Sequence, residues 1–348
     1  MIKVLIVEDS RVMQELLIHI INSDPALNVV GKAVNGKDAI DAVKKLRPDI
    51  ITMDINMPKM DGFEATRHIM ETIPTPIIIV SGNAKAREVA YSFKMLQAGA
   101  LAVLLRPPGL RYPDHKAEAG KLIETLKLMS EIKVIKRNGR NLKKPAHPSF
   151  SLHAKQDFSS QSKLIAIGVS TGGPPLLQKI ISGLPKNFPV PLLIVQHLSP
   201  GFLDGFAEWL ALACNFPIHI AKHNEYPLPG HAYLAPDGFH MGLGNNFRII
   251  LSNHAPENGL RPSVSYLFQS IAQNFGSSAT GIILTGMGKD GANELKQMKD
   301  KGAITIAQDK ESSVVHGMPG EAIKLNAATH IFSPDGIIKY LSAFVKEE

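Results

Sequence analysis

The chain has 348 residues, 44% hydrophobic and 20% charged, enough apolar material for two cores and too much for a disordered polymer. Its single cysteine, Cys214, rules out an internal disulfide and a multi-cysteine metal site. The formal charge is +7, and residues 133–163 hold eight basic side chains against one acid, Asp157, so the surplus belongs to one stretch and not to a basic face of a folded domain.

The first third alternates apolar runs with helical spacing. Strands are expected at 3–7, 29–33, 50–53, 77–80 and 101–105, and helices at 11–23, 36–46, 86–98 and 114–132. This rhythm implies an α/β domain over 1–132, with a doubly wound parallel sheet covered on both faces. Residues 133–162 break the pattern with Asn138-Gly139, two prolines and many Lys, Ser and His residues. They read as a flexible basic linker, with no nucleic-acid role expected. From 163 to 348 the alternation resumes. Strands are expected at 164–169, 192–195, 281–284 and 304–307, helices at 175–182, 202–213, 263–274, 291–301 and 337–345, and short strands and turns between 216 and 252. This is a second, larger α/β domain of parallel-sheet, Rossmann-like type. No apolar run is long enough to cross a bilayer, and the first ten residues lack a basic region and a cleavage site, so a cytoplasmic protein without membrane insertion is expected.

Open α/β sheets place their sites at the carboxyl ends of strands. In the first domain those ends carry Glu8-Asp9, Asp54 and Ser81. Clustered carboxylates favour a hard divalent cation, which in turn neutralises a phosphoryl group arriving at an aspartate. The segments IVEDS, ITMDINMPKMDGFE and VSG resemble the receiver domains of two-component response regulators, with their flavodoxin-like fold. The resemblance implies Asp54 as phosphoacceptor, a magnesium ion held by Glu8, Asp9, Asp54 and the carbonyl of Asn56, and Ser81 as the switch hydroxyl. One departure stands out. Receivers place lysine at the end of the fifth strand, and this chain has Arg106 followed by two prolines.

In the second domain Ser170 lies between an apolar run and Thr171-Gly172-Gly173, and Gly168-Val-Ser170-Thr-Gly172 fits the G-x-S-x-G pattern. Alone, that is as easily a helix cap beside a glycine turn. His197 follows the run at 192–195, and Asp290 sits in a glycine-rich loop after 281–284. Serine, histidine and aspartate on three strand ends suggest nucleophilic acyl transfer. Their chain order, Ser–His–Asp, differs from that of α/β-hydrolases. The segments IGVSTGGP, IVQHLSPGF, LTGMGKDGA and QDKESSVVHGMP resemble the methylesterase domains of the CheB family. That resemblance implies a hydrolase acting in chemotaxis adaptation, with Ser170 as nucleophile, His197 as base and acid, and Asp290 orienting the histidine. Thr171 and Met287 would line the site and supply oxyanion N–H groups. It further implies demethylation of glutamyl γ-methyl esters and deamidation of glutamines on methyl-accepting chemotaxis receptors. A chemotaxis histidine kinase would be the phosphodonor, the receiver would gate the esterase crevice, and the enzyme would associate with receptor clusters. The hydrolase itself would need no cofactor. A DNA-binding response regulator is the rival class, but no compact helix-turn-helix pattern follows the linker. A scaffold with lost catalysis is a second rival.

Overall fold

Runs of consecutive buried residues, rather than alternating ones, form the central strands. All six residues of Leu164–Val169 are buried, as are all four of Ile50–Met53. Such strands need cover on both faces, which parallel sheets receive from their crossover helices. The computed structural model describes residues 1–82, 86–132, 134 and 162–345. It divides into two units, Met1–Ser151 and Leu152–Glu348. The segment expected as a linker, 133–162, lies outside the described residues except at 134 and 162.

The first unit runs β1 (Ile2–Val7), α1 (Arg11–Asn22), β2 (Leu27–Ala33), α2 (Gly36–Leu46), β3 (Ile50–Met53), α3 (Gly62–Thr72), β4 (Ile77–Ser81), α4 (Ala86–Ala98), β5 (Ala102–Leu105) and α5 (His115–Ser130). Its five strands pair in parallel in the order β2-β1-β3-β4-β5. The strand order reverses beside β1 and β3, so the loops after β1, β3, β4 and β5 share one edge. Helix α3 had no counterpart in the sequence reading. Its buried positions are Gly62, Ala65, Thr66, Ile69 and Met70, too weakly apolar to show a helical period. Its start is set by Asp61, whose side chain accepts from Glu64 N–H at 2.8 Å.

The second unit runs β6 (Leu164–Val169), α6 (Gly173–Ser182), β7 (Leu192–Gln196), α7 (Leu203–Cys214), β8 (Ile218–Ile220), β9 (Ala232–Leu234), β10 (His240–Leu243), β11 (Ile249–Ser252), α8 (Val264–Asn274), β12 (Ala279–Ile283), α9 (Ala292–Asp300), β13 (Ile304–Gln308), α10 (Met318–Lys324), β14 (His330–Phe332) and α11 (Pro334–Ser342). Seven strands pair in parallel in the order β14-β13-β12-β6-β7-β9-β8. An antiparallel pair, β10 and β11, stands apart from that sheet. Helix α10 and edge strand β14 were not anticipated, because seven and three residues are too short to carry a period. The core beneath the sheet joins Leu193 and Val195 to Leu267, Phe268, Leu295 and Met298, all fully buried. It fixes α8 and α9 against the central strands.

Candidate active site and acidic pocket

Strands β12, β6 and β7 are neighbours, and the loops leaving their carboxyl ends carry Asp290, Ser170 and His197. His197 Nε2 lies 3.0 Å from Asp290 Oδ2. The carboxylate only accepts, so Nε2 carries the proton and Nδ1 is the nitrogen available as a base. Asp290 is 2% exposed and accepts three further bonds: from Val264 N–H at 2.6 Å, Ser265 N–H at 3.2 Å and Asn258 Nδ2 at 3.3 Å. Val264 and Ser265 open α8, where backbone donors without helical partners favour an anion. Burial by itself would raise the Asp290 pKa. The His197 contact and the donors at Val264 and Ser265 outweigh it and hold the carboxyl below its ordinary value.

The turn after β6 is wired to its neighbours through the backbone. Ser170 N–H donates to Thr285 O at 3.0 Å, and Gly173 N–H donates to Ser170 O at 2.9 Å. Gln196, at the end of β7, donates from Nε2 to both Ser170 O and His197 O at 2.9 Å. One buried amide therefore ties the serine loop to the histidine loop. Thr285 Oγ1 meets Thr171 O at 2.9 Å and accepts from Val315 N–H at 2.9 Å, joining the loops after β6, β12 and β13. A Cβ at Gly286 would stand 2.4 Å from Met318 Sδ and 2.7 Å from Ser170 Cβ, so only glycine lets the β12 loop pass this close to the serine.

Thr171 and Met287 are both half-buried, on the two loops that flank Ser170. Among the described residues neither of their N–H groups donates to a backbone acceptor. No hydrogen bond joins Ser170 to His197 among the described residues. The sequence places a helix over 263–274 but assigns no role at the site to its start, to Gln196 or to Asn258. Of these, only the α8 cap had a local signal, Ser263 preceding an apolar run. A serine–histidine contact does occur elsewhere, between Ser263 Oγ and His240 Nδ1 at 3.2 Å. Both residues are fully buried, and the Ser263 hydroxyl accepts from Tyr266 N–H, so this pair is a helix cap closed to substrate.

In the first unit the loops after β1 and β3 bring Glu8, Asp9 and Asp54 together, with one oxygen of each within 4.8 Å of the others. Glu8 and Asp54 are buried and Asp9 is exposed. Arg106 Nη2 lies 2.8 Å from Glu8 Oε2 and 3.1 Å from Asp54 Oδ1. Burial, reinforced by the neighbouring Asp54, pushes the Glu8 pKa up to about 7 against the pull of Arg106. Ser81 is buried at the end of β4, and Asn56 is exposed two residues after Asp54. Carboxylate oxygens gathered against their own repulsion suit a hard divalent cation.

A receiver-type sheet with an acidic pocket, in one chain with a parallel-sheet domain bearing serine, histidine and aspartate on adjacent strand ends, defines a receiver-linked hydrolase. Residues 4–111 match the response regulator receiver domain, and residues 165–341 match the CheB methylesterase domain. A protein-glutamate methylesterase/protein-glutamine glutaminase of Nitrosospira multiformis is 53% identical over 348 residues, covering 100% of this chain and 98% of the relative. A counterpart in Geobacter metallireducens is 50% identical over 349 residues and covers both chains fully. The crystal structure of the Thermotoga maritima CheB methylesterase catalytic domain superposes with a TM-score of 0.51 at 38% identity, covering 53% of this chain and 100% of that one. The chain belongs to the CheB family of protein-glutamate methylesterase/protein-glutamine glutaminases.

Proposed function

We propose that this chain hydrolyses the γ-methyl esters of glutamate side chains, and the amides of glutamine side chains, on methyl-accepting chemotaxis receptors. The observation that carries the reading is the His197–Asp290 hydrogen bond on strand ends adjacent to that of Ser170. Ser170 Oγ attacks the ester carbonyl while His197 Nδ1 takes the hydroxyl proton. Asp290 holds the imidazole in the required tautomer and stabilises the imidazolium. The N–H groups of Thr171 and Met287 face the developing oxyanion. When the tetrahedral intermediate collapses, the C–O bond to the methoxy group breaks, and His197 returns the proton so that methanol leaves. Water then gives its proton to the same histidine and attacks the acyl-enzyme, and glutamate and free Ser170 are regenerated. An amide follows the same path and releases ammonia.

The receiver, residues 1–132, regulates this hydrolase, residues 163–348, across the basic linker 133–162. Asp54 accepts a phosphoryl group from a chemotaxis histidine kinase. Glu8, Asp9, Asp54 and the Asn56 carbonyl are the groups that would hold Mg2+, which offsets charge on the phosphoryl oxygens when bound. Ser81 and Arg106 supply a hydroxyl and a cation to those oxygens. The working site is the cytoplasmic side of receptor clusters. No helix among the described residues is long and apolar enough to cross a membrane.

Methanol release from methylated receptor membranes tests the assignment. Ser170→Ala should abolish it, and normal turnover in that variant would overturn the nucleophile. A small phosphodonor should raise release by the full chain and leave Asp54→Asn unchanged. An equal response in both would remove Asp54 from the control step.

A further inference from the structure

We propose that Arg106 is a built-in cation of the receiver pocket that competes with Mg2+ for Glu8 and Asp54, and so weakens metal binding in the unphosphorylated protein. This rests on reading Asp54 and its neighbours as a metal-assisted phosphoacceptor. A single nitrogen, Arg106 Nη2, spans both carboxylates, at 2.8 Å from Glu8 and 3.1 Å from Asp54. Those residues are two of the three whose oxygens converge within 4.8 Å. Glu8 is 1% exposed, so little water screens its contact with the guanidinium. A dication taking the same two carboxylates would stand beside a positive charge, so the guanidinium must withdraw before the metal can bind.

The pocket is also shaped for arginine. Arg106 is anchored at its backbone, where its N–H donates to Ser81 O at 2.8 Å. Its guanidinium lies against the Gly82 backbone: a Cβ at Gly82 would stand 2.8 Å from Nη1, 3.0 Å from Cζ and 3.4 Å from Nε. Any larger residue at 82 would displace the whole planar group. Among the described residues, buried Nε has no hydrogen-bond partner. A lysine side chain ends one bond shorter. Its ammonium falls short of the arginine's reach by that bond, and it carries no plane to rest on Gly82.

The test is a calorimetric Mg2+ titration of the full-length chain without phosphodonor. Wild type is compared with Arg106→Lys, Arg106→Gln, Gly82→Ala and the double variant Gly82→Ala/Arg106→Lys. Both Arg106 substitutions should tighten Mg2+ binding by about three- to tenfold, the size of one or two half-buried ion contacts. Gly82→Ala should tighten it in the wild-type background, by pushing the guanidinium aside, and leave it unchanged in the Arg106→Lys background. Equal or weaker affinity in the Arg106 variants would overturn the proposal, as would a Gly82→Ala effect of the same size in both backgrounds. A different failure, no Mg2+ binding by any of the proteins and no phosphoryl label at Asp54, would take down the reading of the pocket itself.

Discussion

Asp290 Oδ2 accepts from the backbone N–H of Val264 at 2.6 Å, and the same oxygen meets His197 Nε2 at 3.0 Å. The carboxylate bonded to the histidine is thus held by the first turn of α8, more than twenty residues before it in the chain. Its second oxygen is taken by Ser265 and Asn258. With both oxygens committed, the aspartate has no freedom to rotate away from the imidazole. The hydrogen-bond partner of His197 is thus preorganised by the helix start.

Asp290→Asn should therefore be a sharp test of the orienting role. With its nitrogen toward His197, the amide keeps an acceptor for Ser265 N–H but turns a donor to both His197 and Val264 N–H, which favours the wrong imidazole tautomer. Turnover of a methylated receptor should fall by about 10³- to 10⁴-fold with the fold retained. A loss below tenfold would mean that His197 does not depend on this partner.

The same carboxylate gives a pH dependence of stability. Its folded-state pKa lies below the ordinary 3.8, because the His197 contact and the donors at Val264 and Ser265 outweigh the opposing effect of burial. A depressed carboxyl pKa contributes stability that is fully present above the unfolded value. That stability is lost as the pH falls through the folded value. The wild type should thus be more resistant to urea than Asp290→Asn at pH 7, in the transition of the second unit. The gap should narrow only below about pH 3.8. A gap that stays constant from pH 7 to pH 3 would contradict this.

Gln196 makes a prediction about alignment. Its side chain is 6% exposed and joins the carbonyls of Ser170 and His197. Gln196→Leu keeps the volume but leaves both carbonyls without that donor, so the serine and histidine loops can drift apart. The expected result is a fall in kcat of up to about 10²-fold with KM little changed. Gln196→Glu should be worse, since an ionised carboxylate would face two carbonyl oxygens. Wild-type kcat in both variants would reduce Gln196 to a filler of space.

The first glycine of the G-x-S-x-G segment has a packing role. A Cβ at Gly168 would stand 2.2 Å from Val264 Cγ1. Gly168→Ala should therefore push the α8 start outward, at a cost of about 1–3 kcal/mol from overpacking, and weaken the hold on Asp290. Val264→Ala in the same chain should recover much of that loss, because it removes the methyl groups in the way. The check is a double-mutant cycle in urea, in which additive losses would rule out the contact.

Much of the site was legible because its signals are local. A parallel strand reads as an apolar run, and the polar residue beyond it stands out; Ser170, His197 and Asp54 are read that way, and Asp290 from the glycine-rich loop after its strand. Helices α3 and α10 and strand β14 are not, since short or weakly apolar segments leave no period. Arg106 was visible as a departure from lysine, but its span across Glu8 and Asp54 was not, because that depends on side-chain reach across β5, β4, β3 and β1.

The sequence by itself determined which residues end the strands, and with them the chemistry on offer: a hydroxyl, an imidazole and a carboxylate in one domain, three acids in the other. Strand periodicity and polarity act over a few neighbours, so they can be read along the chain. Only the tertiary structure decided which of those groups meet. It set β12, β6 and β7 side by side, delivered the α8 N–H groups to Asp290, and closed the Ser263–His240 pair inside the core. Those outcomes depend on strand order and on contacts across long stretches of chain, which only packing of the whole domain selects.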